Sequence, residues 1–283
     1  MTNGTALREE MDIYLEAMSV GDHTRLRFAS NFRLTENGRT LSIDEGLWRC
    51  KPRFSGIQSF ADALTGQIVC AGVAYVAGQP RPFAQRLRIF KGELAEAEAI
   101  LSTDPKGHFA EVEQLLKPDI LYQAIVPPNR RVDREGLREA ANRYWEGLEQ
   151  SDGLIPRFNY RCDKYDNGAK TTNTLRTLLS PDGKVHTCAS ALNDTRAARP
   201  KARERRFPVL DVELGLAASF VVVDFHPIPA HPRPDAGAMY MLGLFKVVDG
   251  EIRIIDEIRE FLPLGRSVGW DEPSYSSGNV AHG

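Results

Sequence analysis

The chain has 283 residues, of which 42% are hydrophobic and 26% are charged, a composition typical of folded globular proteins at a length that accommodates about two domains. Its 36 Lys and Arg residues nearly balance its 38 Asp and Glu residues, so the formal net charge is -2 and neither nucleic acid nor an anionic membrane is expected as a partner. No apolar run is long enough to cross a membrane, and the N-terminus lacks the pattern of a secretory signal, so a cytoplasmic location is expected.

The N-terminal part of the sequence recurs later in the chain. Residues 14–38 align without a gap on residues 144–168, and the shared positions include a tyrosine and an Asn-Gly pair. Apolar residues around each tyrosine recur with helical period, which predicts an amphipathic helix at the start of each copy. These residues are Leu7, Met11, Tyr14, Leu15 and Met18 in the first copy and Leu137, Ala141, Tyr144, Trp145 and Leu148 in the second. The Asn-Gly pairs predict turns, because both residue types tolerate positive φ.

Strand-like segments follow each helix. An Asp-x-x-x-Gly match at residues 62–66 and 211–215 precedes a β-like run in each copy, and each copy closes on two further strand-like segments around a Gly-containing turn. Helices followed by a meander of strands predict an α+β fold. We therefore expect two tandem cone-shaped domains, each with N-terminal helices packed on a curved antiparallel sheet. The expected bounds are residues 1–104 and 105–266 for the two domains and residues 267–283 for a loose C-terminal tail.

Several local features argue against common kinds of site. The basic run at residues 196–206 also holds Pro200 and Glu204 and is interpreted as a solvated loop. The four cysteines have no CxxC spacing and no His at metal-ligand spacing, so they are interpreted as reduced core residues and no metal site is predicted. They are Cys50, Cys70, Cys162 and Cys188. The sequence has no Gly-rich phosphate loop and no Gly-x-Ser-x-Gly motif, which disfavours nucleotide chemistry and serine hydrolysis, and no cofactor is expected.

The order of these elements, together with three short segments, resembles the nuclear transport factor 2-like superfamily. The segments are residues 35–38 (Thr-Glu-Asn-Gly), 46–48 (Gly-Leu-Trp) and 162–168 (Cys-Asp-Lys-Tyr-Asp-Asn-Gly). The superfamily includes ketosteroid isomerase, scytalone dehydratase, limonene-epoxide hydrolase and the SnoaL-like polyketide cyclases. In its length and duplication the chain is similar to the cofactor-independent lyases that release formaldehyde from lignin-derived diarylpropanes. The resemblance implies a small aromatic substrate bound inside the cone and, by the sheet packing of relatives, a homo-oligomer.

Asp224 and His226 are candidate catalytic residues. They alternate with Val223 and Phe225 along a strand-like segment and therefore share one of its faces. If that face lines the cone, Asp224 would orient the imidazole of His226 for proton transfer near neutral pH. The alternative is that His226, which precedes Pro227, ends the strand in solvent. The second copy is expected to hold the more elaborate site, with the loop at residues 227–234 as a cover.

Two cations and four aromatic residues complete the candidates. Lys164 would polarise an oxygen or stabilise a phenolate, the alternative being a structural ion pair. Arg88 would bind a phenolate or hydroxyl oxygen, the alternative being an exposed position on an edge strand. The aromatic residues would bind a flat substrate or belong to the plain core. They are Trp48, Tyr75, Tyr160 and Tyr240.

The resemblance implies a lyase that deformylates a phenolic diarylpropane diol, with loss of the benzylic hydroxyl, a quinone methide intermediate, and a stilbene and formaldehyde as products. The alternatives are a SnoaL-like dehydratase or isomerase, an epoxide hydrolase, and a protein that binds an apolar ligand or acts as a scaffold without turnover. An open apolar cavity on which charged groups converge favours catalysis, whereas a filled cone favours a scaffold.

Overall fold

The computed structural model describes residues 3–103, 110–174, 186–226 and 236–270. The first copy contains α1 (Gly4–Val20), β1 (Phe28–Glu36), β2 (Arg39–Leu41), α2 (Gly46–Cys50), β3 (Arg53–Asp62), β4 (Gln67–Val76), β5 (Gln79–Phe90) and β6 (Glu93–Leu101). The one-turn helix α3 (Val112–Leu115) lies between the copies. The second copy contains α4 (Arg134–Gln150), β7 (Phe158–Asp166), β8 (Ala169–Lys170), α5 (Cys188–Asn193), β9 (Lys201–Asp211), β10 (Leu216–Asp224), β11 (Ala236–Val248) and β12 (Glu251–Pro263). Among the described helices, none is long and apolar enough to cross a membrane.

The two long helices begin and end as their sequences predict. The Asn3 side chain accepts a hydrogen bond from the backbone N–H of Ala6 at the start of α1, and Asp133 caps α4 by accepting from Gly136. α1 ends at Gly21, whose left-handed conformation provides the usual helix stop. Both helices bury the apolar faces predicted from their periodicity.

The copies form two six-stranded sheets with the same strand order, β2-β1-β6-β5-β4-β3 and β8-β7-β12-β11-β10-β9. The predicted α+β fold of two tandem cone-shaped domains is confirmed. The sheets are antiparallel as expected except for one parallel pair in each, β1 with β6 and β7 with β12. A parallel pair needs a long crossover connection, and here the rest of each sheet supplies it.

The repeated Asn-Gly pairs form the predicted turns, with positive φ at both residues of each pair. The Asn37 side chain bonds both the carbonyl and the N–H of Leu101, at 3.0 and 2.9 Å. Asn167 makes the same two bonds to Arg259, at 3.2 and 2.9 Å. Each asparagine thus ties the hairpin after the first strand to the last strand of its own sheet.

The core has three parts. One lies inside each cone, between the long helix and the concave face of the sheet. The third lies between the sheets, where their outer faces pack against each other. Alternation along β10 shows the division, because Val221 and Val223 point into the second cone whereas Val222 points to the other copy.

The part of the C-terminal tail that the structure describes packs on the first copy, which corrects the expectation that the chain is loose from residue 267. The indole N–H of Trp270 donates to the Thr35 hydroxyl at 2.9 Å, and the Arg33 guanidinium lies 4.1 Å from the Trp270 ring centroid. Val268 is buried between the copies. Residues 271–283 and the loop at residues 227–234 lie outside the described residues.

The second half of the basic run is not a solvated loop, because residues 201–206 belong to β9, whereas Arg196 and Arg199 before it are exposed. The three arginines of β9 each pair with a carboxylate on a neighbouring element. Arg203 pairs with Asp224, Arg205 with Glu149 and Arg206 with Glu98.

The prediction of four reduced cysteines was wrong for one pair. Cys162 in β7 and Cys188 at the start of α5 form a disulfide, with their Cα atoms 6.0 Å apart. Cys50 is free and exposed, and Cys70 is free and buried. The two bonded residues are 26 positions apart, and only the tertiary structure brings them together.

Candidate active site

A cavity of about 570 Å³ opens inside the cone of the second copy. It lies between α4, α5 and the concave face of the sheet. Much of its lining is apolar and consists of Leu148, Ala169, Ala191, Leu192, Met239 and Met241. Charged and hydroxyl groups gather on one side, the floor: Tyr144, Lys164, Asp166, Glu257 and Arg259. A volume of this size suits a small organic ligand that has an apolar body and a polar end.

The floor is assembled by the parallel pairing of β7 with β12. The register places Asp166 beside Glu257, and Lys164 lies on the same face of β7 as Asp166. The Lys164 ammonium is bonded to Asp166 and lies 3.0 Å from Oε2 of Glu257. Arg259 approaches Asp166 at 3.6 Å, and the Tyr144 hydroxyl donates to Oε1 of Glu257 at 2.7 Å. Two cations, two carboxyl groups and a phenol therefore form one buried cluster.

The two carboxyl groups of this cluster differ in acidity. Burial raises the pKa of Glu257, and the neighbouring Lys164 offsets this effect only in part. Burial acts on Asp166 as well, but Arg259 and Lys164 outweigh it and hold the pKa of that carboxyl well below its usual range. Asp166 is thus the ionised member of the pair and Glu257 the member that takes up a proton more readily.

The other two groups that contact Glu257 keep their protons. Burial, and then the nearby Glu257 carboxylate, raise the pKa of the Tyr144 phenol well above its ordinary value, so Tyr144 remains a hydrogen-bond donor. Burial lowers the pKa of Lys164, but Asp166 and Glu257 outweigh it and the net pKa is raised. Lys164 is therefore a fixed positive charge at the floor.

The side of the cavity formed by residues 186–195 carries a second pair of ionisable groups. Nδ1 of His186 lies 2.9 Å from Oδ2 of Asp194, and both residues line the cavity together with Thr195. An imidazole beside a carboxylate is an arrangement suited to proton transfer. In the described part of the chain, this cavity included, no group of three or more His, Cys, Asp or Glu side chains is arranged to hold a metal ion.

At the corresponding floor of the first copy only about 10 Å³ remains, because Trp48 of α2 occupies that part of the cone and its indole N–H donates to the Tyr14 hydroxyl at 3.1 Å. A separate cavity of about 360 Å³ lies between α1 and the β5–β6 hairpin, where Glu10, Arg25 and Leu94 line it. Three of the four charged floor positions are apolar in this copy: Leu34 stands for Lys164, Ala99 for Glu257 and Leu101 for Arg259, while Glu36 stands for Asp166.

Chain length between two elements explains the difference. In the first copy α2 follows β2 after residues 42–45, which draws Trp48 into the cone. In the second copy α5 follows β8 after residues 171–187, and the longer connection lets the helix sit farther out as a wall.

The structure places two of the predicted site residues inside cones. Lys164 lies at the cavity floor of the second copy, and Trp48 fills the first cone. Arg88 lies on the outer side of β5, where it pairs with Glu96 at 2.9 Å.

Asp224 and His226 do not line the cavity, because the face of β10 that carries Val222 and Asp224 points to the other copy. Asp224 pairs there with Arg203 at 2.8 Å, and His226 is exposed beyond the end of the strand. The condition under which this pair was expected to act is therefore not met.

The remaining aromatic candidates also lie away from the cavity. Tyr75 stacks under the guanidinium of Arg53 at 4.0 Å, and Tyr160 is 82% exposed. Tyr240 is buried between the sheets, where its hydroxyl bonds Glu98.

Sequence reasoning missed Glu257, Arg259 and His186. The signal for the first two was the Gly-Glu-Leu and Gly-Glu-Ile match at residues 92–94 and 250–252, which aligns Glu257 with Ala99. A charged residue in one copy at the position of a small apolar residue in the other marks a site rather than a core. His186 has no counterpart in the repeat to reveal it.

A family model described as a domain of unknown function, DUF8021, matches residues 130–259, which is the copy that holds the cavity. No curated protein matches the chain.

Three solved structures show low similarity. An NTF2-like protein of unknown function from Cytophaga hutchinsonii is 13% identical, with a TM-score of 0.30, over 37% of this chain and 97% of that one. A protein named provisionally as a polyketide cyclase, from Xanthomonas campestris, is 14% identical, with a TM-score of 0.34, over 44% and 90%. An NTF2-like protein of unknown function from Shewanella baltica is 14% identical, with a TM-score of 0.28, over 46% and 93%. Similarities at this level do not identify a function.

Proposed function

We propose that the second copy is the catalytic half of an enzyme that performs general acid–base chemistry on a small oxygenated molecule with an apolar body, and that the first copy is a scaffold. The observation that carries the proposal is the contrast between the copies. At the floor of the cone the first copy is filled and mostly apolar, whereas the second copy has an open cavity with charged groups at the same positions.

The cluster suggests a role for each floor residue. Glu257 would give a proton to a leaving or carbonyl oxygen, because its pKa is raised and the proton is available nearer neutral pH. Asp166 would stay ionised and keep Lys164 and Arg259 in place. Those two cations would stabilise negative charge that develops on a substrate oxygen. Tyr144 would hold the Glu257 carboxyl in one orientation.

The specific reaction that we propose for this site is the deformylation of a phenolic diarylpropane diol. With the substrate phenol ionised beside the floor cations, protonation of the benzylic hydroxyl by Glu257 would release water and leave a quinone methide. The bond to the terminal carbon then breaks, and its electron pair restores the aromatic ring. The terminal hydroxyl gives up its proton to a base, and the products are a stilbene, formaldehyde and water. The cations at the floor would stabilise the phenolate form of the ring.

Ligand binding without turnover is the second candidate, favoured by the six apolar residues that line the cavity. In that case the charged cluster would orient the polar end of the ligand, and Glu257 would not exchange a proton with it. The two candidates differ in whether product forms.

The test is incubation of purified protein with a panel of phenolic diarylpropane diols and phenylcoumarans, with formaldehyde and stilbene absorbance measured together. Equal amounts of both products are expected from the native protein. Glu257→Gln should lower the rate by about 10²- to 10⁴-fold, the usual contribution of a general acid. Glu36→Gln, at the position of Asp166 in the filled copy, is the matched control and should leave the rate unchanged. Binding of panel members without product would support the second candidate.

A further inference from the structure

We infer that the Cys162–Cys188 disulfide is a positioning element of the candidate site, which makes ligand binding in the cavity depend on the thiol redox state of the protein. This inference rests on the proposed function, since it concerns the same cavity. It assigns to a buried crosslink a role that neither the repeat nor the charged floor accounts for.

The disulfide joins the floor of the cavity to its wall. Cys162 lies two residues before Lys164 on β7, and Cys188 is the first residue of α5. The wall consists of residues 186–195, of which His186, Ala191, Leu192, Asp194 and Thr195 line the cavity. The crosslink therefore fixes the N-terminal end of the wall against β7, the strand that carries Lys164.

Other contacts of the described residues also hold the wall at this end. The backbone N–H of Asn173 donates to the carbonyl of His186 at 2.8 Å, and the backbone of Gly153 packs directly against that of Ala189. The capping box of α5 is internal to the wall itself. At its other end the wall is tied to the chain after α4, where Asn193 accepts a hydrogen bond from the backbone N–H of Gly153 at 2.7 Å and Leu192 is buried. Loss of the crosslink would remove the covalent tie between α5 and β7 and would leave the start of this short helix held by non-covalent contacts.

The first copy shows how such a wall can be fixed without a crosslink. There α2 is anchored by Trp48, which enters the cone and bonds Tyr14. An anchor of that kind fills the space that a ligand needs. In the second copy the disulfide holds α5 from outside the cavity, so the wall is fixed while the cavity remains open.

The redox dependence follows from thiol chemistry. A dithiol such as dithiothreitol cleaves the S–S bond, and it transfers two electrons and two protons to the protein to give two cysteine thiols while it closes to its own cyclic disulfide. Such bonds persist in oxidising surroundings and are reduced in the presence of thiol reductants. The site therefore has a clamped state and a released state.

The first readout is hydrogen exchange of the wall, which needs no ligand. Full reduction should raise exchange of amides 188–195 by at least about tenfold, while the amides of α4 should be unaffected. Alkylation of denatured protein followed by mass spectrometry defines the state: two modified cysteines before reduction and four after it. A fully reduced, folded protein whose wall amides exchange as slowly as before would overturn the inference.

The second readout is binding of the fluorescent phenol 2-naphthol. Reduction should weaken binding by about fivefold or more, as expected when a binding-competent wall becomes a minority conformation. The variant with Cys162→Ser and Cys188→Ser should bind weakly with or without dithiothreitol, whereas Cys50→Ser, at an exposed free cysteine, should respond as the native protein does. Faster wall exchange with unchanged 2-naphthol binding would refute the redox dependence. If the oxidised protein does not bind 2-naphthol, the proposed function is contradicted instead, and the exchange result alone decides whether the disulfide positions the wall.

Discussion

Replacement of Asp256 by Asn should change how the stability of this protein depends on pH. Asp256 lies on the outer face of β12 and lines a cavity of about 130 Å³ between the sheets. It occupies the position that Glu98 has in β6, since Asp256 pairs with Tyr165 and Glu98 with Thr35 on equivalent strands. Glu98 is flanked by two arginines, Arg86 and Arg206, and its pKa is lowered although its burial acts in the opposite direction.

Asp256 has neutral residues where Glu98 has those arginines. Strand pairing puts Gln58 at the position of Arg206 and Leu244 at that of Arg86, and both line the same small cavity as Asp256. Burial raises the pKa of Asp256 to about 7, an effect that the Tyr122 hydroxyl offsets only in part and that Asp119 reinforces. The ordinary value is 3.8.

The sign of the effect follows from the raised pKa. Below pH 4 the carboxyl is protonated in both the folded and the unfolded chain. Between pH 4 and pH 7 the unfolded chain releases this proton and the folded protein keeps it, so the free energy of unfolding falls as pH rises. A shift of about three units corresponds to at most about 4 kcal/mol, lost in full once the pH passes 7.

The assay is urea unfolding at pH values from 4 to 9, followed by circular dichroism. Asp256→Asn should remove most of the decline between pH 4 and 7 and should be more stable than the native protein at pH 8. Asp249→Asn is the control, because Asp249 is exposed in a surface ion pair with Arg130 and should alter stability by no more than about 1 kcal/mol. An unchanged decline in the Asp256→Asn protein would refute the reasoning.

Three further predictions concern the filled cone, the contact between sheets and the charged floor. Trp48→Ala should lower the free energy of unfolding by about 3 to 5 kcal/mol, since it leaves a cavity in the first cone and removes the donor to Tyr14. Urea unfolding measures this change. A loss below about 1 kcal/mol would show that Trp48 does not support the fold. Glu98→Ala should cost a similar amount, about 3 to 5 kcal/mol, because the buried Arg206 loses the carboxylate that it pairs with, whereas Arg86 keeps Glu96. A Tm equal to that of the native protein would contradict this. If Glu257 is the general acid, kcat/KM should fall as pH rises through its raised pKa. The pH–rate profile of Glu257→Gln should lack this decline. The same decline in both proteins would assign it to another group.

The fold was largely predictable because its signals are local. Helical periodicity around Tyr14 and Tyr144, Asn-Gly turns and strand alternation each depend on a few neighbouring residues. The parallel pairing of β1 with β6 was not predictable in the same way, because the choice of a strand partner depends on the whole sheet. The pairing of Cys162 with Cys188 escaped prediction for the same reason.

The candidate site was predicted only in part. Lys164 was identified because a charged residue on a strand face is conspicuous, and the structure places it at the cavity. Alternation correctly put Asp224 and His226 on one face of a strand, but alternation does not tell which face meets the helices. Glu257 lay in a segment interpreted only as a strand, and its significance depends on Asp166, which lies on a strand far away in sequence.

The packing of the two outer sheet faces has a consequence for how the halves behave on dilution and in evolution. Each half finds its partner within the same molecule, so their association does not depend on protein concentration. In a symmetric dimer of identical chains, every substitution at such an interface occurs twice, whereas here it occurs once. The two equivalent positions do differ: Glu98 pairs with Arg206, whereas Asp256 has the neutral Gln58 in place of that arginine. Side chains fill the floor of the cone in the first half, where Trp48 lies, whereas the second half keeps an open cavity at the same place.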